Sequence, residues 1–446
     1  MPDHAVSTDP AVQAQLARLW ALSPGADVLG LGRITGLLAR LGDPQLRLPP
    51  VFHVAGTNGK GSTCAFLRAM LEAAGKRVHV YSSPHLVRFN ERIRVAGTLI
   101  DDHALAALLE EVLDIGGDIG ASFFEVTTAA AFLAFSRTPA DACVIEVGLG
   151  GRLDATNVVL PLVCGIAGLG IDHEAFLLAP EDGTPTDPMA RIAFEKAGIA
   201  KPGTPLVTLS YPGAATAAIR AVAEEKHATM LQAGVDWSIC RVDEGMRYVD
   251  AEGELVLPLP GLAGAHQVGN AGLAVALLRH QSALNVTPAA FSAGICGASW
   301  PARMQRLRSG PLTAGLGEQS AGGVWLDGAH NESAAAAIAE AWPRDADTAV
   351  IIGVLANKDA RSILRHLVGM AATVRVIAVP VPGHAHHDPA ELVRVARESG
   401  AVDASAALSV EDAFMALGPM RPQRILIAGS LYLAGEVLAK NDEIPD

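Results

Sequence analysis

The chain has 446 residues, half of them apolar, which is enough for two domains with large cores. Its formal net charge of −13 argues against nucleic acid as the main partner, because phosphate backbones require a basic surface. Five widely separated cysteines without a C-x-x-C pair predict reduced, buried thiols instead of disulfides or a zinc site. The N-terminus lacks an apolar signal segment and the longest uncharged stretch contains prolines, so we expect a cytoplasmic protein without a membrane span.

The first 300 residues alternate short apolar runs with helical stretches, a βαβ rhythm typical of a parallel sheet covered by helices. Near residues 235–260 the pattern changes to short strands and turns, which predicts a small antiparallel sheet. The strand-like runs are residues 51–56, 77–82, 141–148, 162–170 and 204–210. Helices are predicted over about residues 62–74, 121–136 and 270–281.

The βα rhythm restarts beyond residue 300, with four more strand-like runs and a helix beginning at Glu332. These runs are residues 322–328, 348–355, 373–380 and 424–430. The sequence therefore predicts an α/β protein of two domains. Residues 1–299 form a large, mostly parallel domain that includes the small antiparallel sheet, and residues 300–446 form a smaller, Rossmann-like α/β domain.

The stretch VFHVAGTNGKGSTCAFL (51–67) has the strand, glycine-rich turn and helix of a phosphate-binding loop. The usual pattern, G-x-x-x-x-G-K-[ST], places a hydroxyl directly after the lysine. Here Gly61 follows Lys60, and Ser62 and Thr63 come one and two positions late. Backbone N–H groups at the turn would face phosphates and Lys60 would neutralise their charge. A tight strand-to-helix turn without a ligand is the alternative.

The segment AGTNGKGS is similar to the loop of the Mur-ligase superfamily, in which the late hydroxyl is normal. Seven further segments resemble the folylpolyglutamate synthase/dihydrofolate synthase family, in the right order along most of the chain. They are YSSPHLVRFNERIRV (81–95), VIEVGLGGRLDATN (144–157), IDH (171–173), FEKAGIAK (194–201), HQVGNA (266–271), DGAHN (327–331) and GSLYLAGEV (429–437). Of these, VGLGGRLDATN is nearly diagnostic.

The resemblance implies an ATP-dependent amide ligase with a P-loop-containing, Mur-ligase-like first domain. A carboxylate attacks the γ-phosphate of ATP to form an acyl phosphate, and the amine of L-glutamate then displaces phosphate. The expected enzyme is bifunctional: it joins L-glutamate to dihydropteroate and adds further glutamates to folates. Alternatives are elongation alone, another Mur-type ligase such as a muramyl-peptide ligase, and a nucleotide-binding protein without ligase chemistry. The expected partners are these small molecules, with no nucleic acid and no membrane, and a monomer is expected.

The metal ligands that the resemblance implies are Ser83, Glu146 and His173, and two Mg²⁺ ions are expected beside ATP. Each residue lies at or just beyond the end of an apolar run, and the carboxyl ends of strands line the ligand crevice of an open α/β sheet. An acid within an apolar strand, as at Glu146, is unfavourable without a cation. Ser83 could instead cap a turn before Pro84, and His173 could be an ordinary residue of a surface loop.

Lys196 matches a lysine that the family often carboxylates with CO₂, and the carbamate would hold the second Mg²⁺. That chemistry requires an unprotonated amine and hence a lowered pKa. The alternative is a lysine on a helix surface, paired with Glu195 or another acid. Catalytic roles follow for Lys60, His173 and the carboxylated Lys196. The segment between His173 and Lys196 is longer than the family's and rich in turn-forming residues, which leaves open how the two residues meet.

The resemblance implies a nucleotide site that both domains share. Its residues are Thr57, Asn58, Gly59, Lys60, Gly61, Ser62 and Asn270 in the first domain, and Arg303, Asp327 and His330 in the second. The family usually has the sequence P-G-R here, whereas this chain has Ala302 before Arg303. The family's glycine could be needed only for the backbone conformation, in which case Arg303 would keep its role.

The pterin substrate is expected at two segments and at the early loop 26–33. The residues of the two segments are Ser122, Phe123, Phe124 and Glu125, and Leu153, Asp154 and Ala155. Phe124 could stack on the pterin or pack in the core, and Asp154 could accept hydrogen bonds from ring N–H groups. Arg88 and Arg92 could attract the anionic tail of the substrate or form a solvated face.

Overall fold

The computed structural model describes residues 6–22, 29–319, 322–420 and 422–446. They form two compact units. The first unit contains the residues up to His85, Phe89–Gly261 and Gln267–Ser299, and the second contains Leu86–Arg88, Leu262–His266 and Trp300–Asp446. The long stretch of the second unit thus begins at Trp300, and the two short segments that precede it were not included in the sequence-based division.

A mixed sheet is the centre of the first unit. Its strands are β1 (Val51–Ala55), β2 (Val78–Tyr81), β3 (Ile93–Val95), β4 (Thr98–Leu99), β5 (Ala142–Glu146), β6 (Val163–Ile166), β7 (Leu206–Thr208) and β8 (Met230–Gln232). Within the described residues the order is β4-β3-β2-β5-β1-β6-β7-β8, with β3 antiparallel to both β2 and β4 and the other neighbouring strands parallel. All residues of β1, β2, β5 and β6 are buried, as expected for parallel strands covered on both faces.

Helices cover this sheet. They are α1 (Pro10–Leu22), α2 (Gly32–Arg40), α3 (Lys60–Ala73), α4 (Asp102–Gly116), α5 (Phe123–Arg137), α6 (Glu174–Leu177), α7 (Pro188–Ala197), α8 (Gly213–Glu225), α9 (His266–Arg279) and α10 (Pro288–Gly297). The three helices predicted from the sequence correspond to α3, α5 and α9, and α9 begins four residues earlier than predicted. Helix α5 begins with a capping box, in which Ser122 and Glu125 satisfy each other's backbone N–H groups.

The strand order explains where a ligand can approach the first unit. The chain leaves β1 toward β2 on one side and leaves β6 toward β7 on the other, so the connections diverge between β1 and β6. Ligands of open α/β sheets bind at the carboxyl ends of strands beside such a divergence. The loops after β1, β2, β5 and β6 all lie at this edge, because these strands are parallel neighbours.

The predicted small antiparallel sheet is present. It consists of β9 (Trp237–Val242), β10 (Gly245–Asp250) and β11 (Gly253–Pro258), in the order β11-β10-β9. Its buried face carries Trp237 and Tyr248, whose rings stack with centroids 5.9 Å apart. A buried ion pair connects the sheet to α9, because Arg279 donates to Asp250 through Nε at 2.6 Å and Nη2 at 2.5 Å.

The second unit has the predicted Rossmann-like βα architecture. Its strands are β12 (Gln305–Arg306), β13 (Val324–Leu326), β14 (Asp347–Ile352), β15 (Thr373–Ala378), β16 (Asp403–Ala406) and β17 (Arg424–Ala428). Its helices are α11 (Glu332–Ala341), α12 (Ala360–Val368), α13 (Pro389–Glu398), α14 (Val410–Met420) and α15 (Leu431–Lys440). Among the described residues the order is β12-β13-β17-β14-β15-β16, and only the short β12 is antiparallel. The predicted α/β fold class is confirmed.

The cysteines agree with only part of what the sequence predicts. All five cysteines are free. Cys64, Cys143 and Cys164 are buried as predicted, but Cys240 and Cys296 are exposed. In the described part of the chain, no helix is long and apolar enough to cross a bilayer.

We expect Asp250→Asn to destabilise the first unit by about 1–3 kcal/mol, because it leaves the mostly buried guanidinium of Arg279 with the exposed and more distant Glu252, at 3.5 Å, as its ion-pair partner. Thermal unfolding measures the loss. The control is Glu225→Gln, which removes an exposed pair with Lys226 and should change stability by about 0–1 kcal/mol. Equal shifts for the two variants would contradict the structural role of the buried pair.

Candidate active site

The turn after β1 is set by two glycines with positive φ. Gly56 has φ 153°, and a Cβ there would lie 2.9 Å from the Cβ of Ala167, in the loop after β6. Gly59 has φ 83° and precedes α3, and a Cβ there would lie 2.4 Å from Asn270 Oδ1. Larger residues would clash at both positions. The predicted strand, glycine turn and helix are therefore present, with Lys60 as the first residue of α3.

Hydrogen bonds attach this turn to the loop after β6. The N–H groups of Thr57 and Asn58 both donate to the carbonyl of Gly168, at 2.8 and 3.1 Å. The hydroxyl of Thr57 donates to the carbonyl of Gly170 at 2.9 Å. Lys60 Nζ donates to the Thr57 carbonyl at 3.4 Å, so the lysine lies over the turn.

The late hydroxyl of the loop has a specific partner. Ser62, buried with Gly61 in the first turn of α3, accepts a hydrogen bond at 3.3 Å from the side-chain amide of Gln267. Gln267 in turn accepts from Asn270 at 3.0 Å, and Asn270 lies against Gly59. Sequence reasoning selected Asn270 but missed the buried Gln267. Its position three residues before Asn270 in a helix, hence on the same face, was the available signal.

The structure brings two of the candidate metal ligands together. Glu146 is the last residue of β5, is buried, and accepts a hydrogen bond through Oε2 from the Ser83 N–H at 3.4 Å. His173 is exposed, has φ 53° and directly precedes the short helix α6. Its N–H donates to the buried carboxylate of Asp172 at 2.7 Å. Within the described residues, no three His, Cys, Asp or Glu side chains lie close enough to hold a metal ion.

Lys196 is buried near the end of α7, and its amine donates to the Gly56 carbonyl at 2.9 Å. Burial, together with the charge of Lys60, lowers the pKa of Lys196 to about 7. Asp172, Asp154 and Glu195 act in the opposite direction. Lys196 is thus not the predicted alternative, a lysine on a helix surface.

Glu195 is already occupied by two arginines, Arg152 at 2.9 Å and Arg191 at 3.0 Å. The same arginines bind Glu181, at 2.5 and 2.9 Å. Glu181 lies in the long segment between His173 and Lys196, so this segment is held against α7 by ion pairs. These pairs lower the pKa of Glu181, with the hydrogen bond from Arg152 as the main cause.

The four residues of the SFFE segment have different environments. Ser122 and Glu125 cap α5, and Glu125 also accepts from Arg33 of the early loop at 2.9 Å. Residues 26–28 of that loop lie outside the described part of the chain. Phe123 is buried and stacks on Trp20, with ring centroids 4.9 Å apart. Phe124 is half-buried and packs over Gly148, in the loop after β5.

The LDA segment (153–155) lies in the same loop after β5. Leu153 is half-buried, whereas Asp154 and Ala155 are buried. The Asp154 carboxylate accepts from the N–H of Leu149 at 2.8 Å and from the N–H of Thr156 at 3.0 Å. Burial raises the pKa of Asp154, and these hydrogen bonds oppose that effect. Asp154 therefore holds the shape of the loop 148–157.

The interpretation of Arg92 as part of a solvated face is wrong. Arg92 is 2% exposed, and its guanidinium lies over the rings of Phe89 and Phe123, 5.5 and 5.4 Å from their centroids. It also donates to His85 Nδ1 at 2.9 Å. Arg88 belongs to the second unit and donates to the carbonyl of Pro445 at 2.8 Å.

In the second unit, Asp327 follows β13 and is buried. Its carboxylate accepts from the N–H groups of Met304 and Ala329, both at 2.8 Å. Burial raises the pKa of Asp327, and the charge of nearby Arg303 lowers it. His330 Nδ1 lies 2.8 Å from the Gly328 carbonyl. The unit thus places Arg303, Asp327 and His330 around the end of one strand.

Ala302 has φ 52°, a left-handed conformation that glycine adopts most easily. The backbone at this position therefore has the shape that a P-G-R sequence would favour. Arg303 keeps its place, with Nη1 donating to the Ala302 carbonyl at 2.9 Å.

Cys64 is buried in α3, between the turn and the sheet. Burial raises the pKa of its thiol, the charge of Glu146 raises it further, and Lys60 lowers it. The lysine of the turn and the acid of β5 therefore both lie within electrostatic reach of one thiol.

A cationic turn next to a buried acid at the carboxyl edge of an open sheet defines the class of protein: an α/β enzyme built for a phosphorylated ligand.

Comparisons with known proteins identify the family. Residues 317–440 match the model of the dihydrofolate synthetase C-terminal domain. The dihydrofolate synthase/folylpolyglutamate synthase of Escherichia coli K12 is 38% identical over 343 residues, covering 76% of this chain and 75% of that protein. The structure of E. coli FolC with DHPP and ADP is 33% identical and superimposes with a TM-score of 0.84, covering 97% of both chains. A bifunctional synthase with Mn, AMPPNP and L-glutamate bound is 31% identical, with a TM-score of 0.81 over 97% of this chain and 98% of that one.

The chain belongs to the folylpolyglutamate synthase/dihydrofolate synthase family of ATP-dependent ligases. The resemblance stated from its motifs is therefore confirmed.

We expect Glu181→Gln to loosen the segment between His173 and α7, because it removes the charge that Arg152 and Arg191 share. Hydrogen–deuterium exchange of peptides covering residues 174–187 should become faster. Global stability should change by less than about 1 kcal/mol, since Glu181 is partly exposed. Glu224→Gln, on the surface of α8, is the matched control, and unchanged exchange in Glu181→Gln would show that the ion pairs do not hold the segment.

Proposed function

We propose that the chain is a bifunctional ATP-dependent ligase, which joins L-glutamate to dihydropteroate and then adds glutamates to folates through an acyl phosphate. The observation that carries the proposal is the position of Lys60 at the start of α3, after β1, and of Glu146 at the end of the neighbouring strand β5, in a family with bacterial members named for both activities. Elongation alone remains the alternative.

Lys60 and the start of α3 are proposed to bind the phosphates of ATP. Both are positive, since a helix N-terminus presents free N–H groups and a partial positive charge. When a carboxylate attacks the γ-phosphate, two negatively charged groups must approach each other. Oriented cations that neutralise this charge are therefore expected to contribute most to the rate. Asn270, next to Gly59, and the group of Arg303, Asp327 and His330 are proposed as further nucleotide contacts.

Ser83 and Glu146 are proposed to hold Mg²⁺, with His173 as a further ligand. The chemistry of this set fits, because a buried carboxylate beside a serine offers the hard oxygen ligands that Mg²⁺ prefers. The ion would supply charge neutralisation for the phosphates. We further propose that two metal ions bind and that both are Mg²⁺.

Lys196 is proposed to be carbamylated and to provide an anionic oxygen for the second ion. Three features support this proposal: the lysine is buried, its pKa is near 7, and the adjacent Glu195 is neutralised by Arg152 and Arg191. About half of an amine with a pKa near 7 is unprotonated and able to react with CO₂ at neutral pH, unlike an ordinary lysine.

For the pterin, Phe124 is proposed to stack on the ring and Asp154 to accept its N–H groups. Phe124 is the suitable aromatic of its segment, since Phe123 is occupied by core packing. Ser122, Glu125, Leu153 and Ala155 are proposed to shape the same site. A monomer acting in the cytoplasm completes the proposal.

The direct test is phosphate release from ATP with dihydropteroate, a reduced folate or a muramyl precursor, each with and without L-glutamate. We expect glutamate-dependent release with the first two only. Glutamate-dependent release with the reduced folate but not with dihydropteroate would support the alternative, an enzyme that only elongates the glutamate tail. Release with the muramyl precursor, or none at all, would overturn the proposal.

We expect Lys60→Ala to lower kcat/KM about 10²–10³-fold, by analogy with the removal of one preorganised donor to a transition state. The fold should be unaffected, as checked by circular dichroism. Lys226→Ala, which removes a partly exposed lysine at the end of α8, should keep full activity. Retained activity in Lys60→Ala would exclude the proposed role in phosphate binding.

Carbamylation is testable by ¹³C NMR after incubation with ¹³C-bicarbonate. The wild type should show a carbamate resonance that disappears in Lys196→Ala. Lys201→Ala is a matched control, because burial lowers the pKa of Lys201 as well, and it should keep the signal. A wild type without the resonance, or a signal that persists in Lys196→Ala, would reject the modified lysine.

A further inference from the structure

Three polar side chains form a buried hydrogen-bonded chain beside the sheet of the first unit. His53, in β1, places Nε2 2.9 Å from the hydroxyl of Thr156. That hydroxyl lies 2.5 Å from Asp154 Oδ1. His53 and Thr156 are fully buried, and Asp154 is 2% exposed. Asp154 is proposed to bind the pterin, and the proposed function assigns no role to His53 or Thr156.

The direction of each hydrogen bond follows from the inventory of protons. The Asp154 carboxylate accepts from two backbone N–H groups, so the single hydroxyl proton of Thr156 is donated to it. Thr156 can then only accept from His53. Burial lowers the pKa of His53 to about 3, so its ring is neutral at pH 7 and carries one N–H. That N–H is at Nε2, and among the described residues Nδ1 has no hydrogen-bond partner.

The two carboxylate oxygens of Asp154 accept different hydrogen bonds. Oδ1 accepts two hydrogen bonds, from the N–H and the hydroxyl of Thr156. Oδ2 accepts a hydrogen bond from the Leu149 N–H at 2.8 Å, and the backbone N–H of Gly148 acts on the carboxylate more weakly. Because a carboxylate oxygen can accept two hydrogen bonds, Oδ2 can still accept from a ligand. Two lysines from other parts of the unit interact with these side chains: Lys201 acts on His53, and Lys196 interacts with Asp154.

We propose that His53 and Thr156 are positioning residues, which fix the Asp154 carboxylate so that Oδ2 accepts an N–H group of the pterin. This inference rests on the proposed function. The recognised chemistry is a flat heterocycle that presents hydrogen-bond donors, and a ring with acceptors at the same place would oppose the carboxylate lone pairs. Loss of the Thr156 hydroxyl removes the shortest of the hydrogen bonds that orient the carboxylate, which is then held by the two backbone N–H groups, and every group that touches the substrate is retained.

The test is Thr156→Val, which removes the hydroxyl at nearly constant volume. We expect the KM for dihydropteroate to rise about 10–100-fold, by analogy with the loss of a residue that orients a metal ligand. The KM for ATP should change less than about twofold, and Thr156→Ser should restore the wild-type values. A merely structural defect would affect both substrates. Thr208→Val is the matched control, because Thr208 is also a buried threonine, and its hydroxyl has no partner among the described residues.

A second measurement does not depend on the folding of a variant. ¹⁵N NMR of labelled wild type, with His53 assigned by its absence in His53→Gln, should show the Nε2–H tautomer at pH 7. The Nδ1–H tautomer or a charged ring would overturn the inference, as would an unchanged dihydropteroate KM in Thr156→Val. A wild type that releases no phosphate with dihydropteroate and glutamate would instead overturn the proposed function, and the NMR result would still decide the direction of the chain.

Discussion

The close approach of backbone at Gly56 is the constraint on which the site depends. A side chain at this position would overlap Ala167, so the loops after β1 and β6 can meet only because the residue is glycine. Their contact lets Thr57 and Asn58 donate to Gly168, which fixes where α3 begins and hence where Lys60 stands. The same residue offers its carbonyl to Lys196. One position therefore determines the place of both lysines that the proposed chemistry requires.

The electrostatics of the first unit follow a simple division. Glu195 and Lys196 are neighbours in sequence, but successive side chains of a helix point about 100° apart, and the two serve different surroundings. Glu195 is neutralised by Arg152 and Arg191, which also bind Glu181. Lys196 points into a buried polar region where desolvation is the main influence on its pKa. The segment between His173 and α7 is thus part of the ion-pair cluster through Glu181.

The sequence predicted the fold well because its signals are local. Apolar runs, turn residues and the restart of the βα rhythm define strands and helices without knowledge of tertiary contacts, and strand ends then bring Ser83 and Glu146 to one edge. Properties that depend on distant contacts could not be predicted. Phe123 and Phe124 are chemically identical, and only the phase of α5 decides that Phe123 packs in the core. Arg92 is buried because two rings from separate segments accept its guanidinium. The segments Leu86–Arg88 and Leu262–His266 join the second unit through long-range packing that no local pattern reports.

The thiols have a practical consequence for chemical modification. A cysteine next to a nucleotide loop is a common target for alkylation or oxidation, but reactivity requires an accessible thiolate. Cys64 is buried with a raised pKa, so electrophilic reagents and mild oxidants should spare it under native conditions. Cys240 and Cys296 are exposed and lie outside the proposed catalytic groups. They therefore offer natural attachment points for fluorophores or spin labels on a catalytically competent ligase.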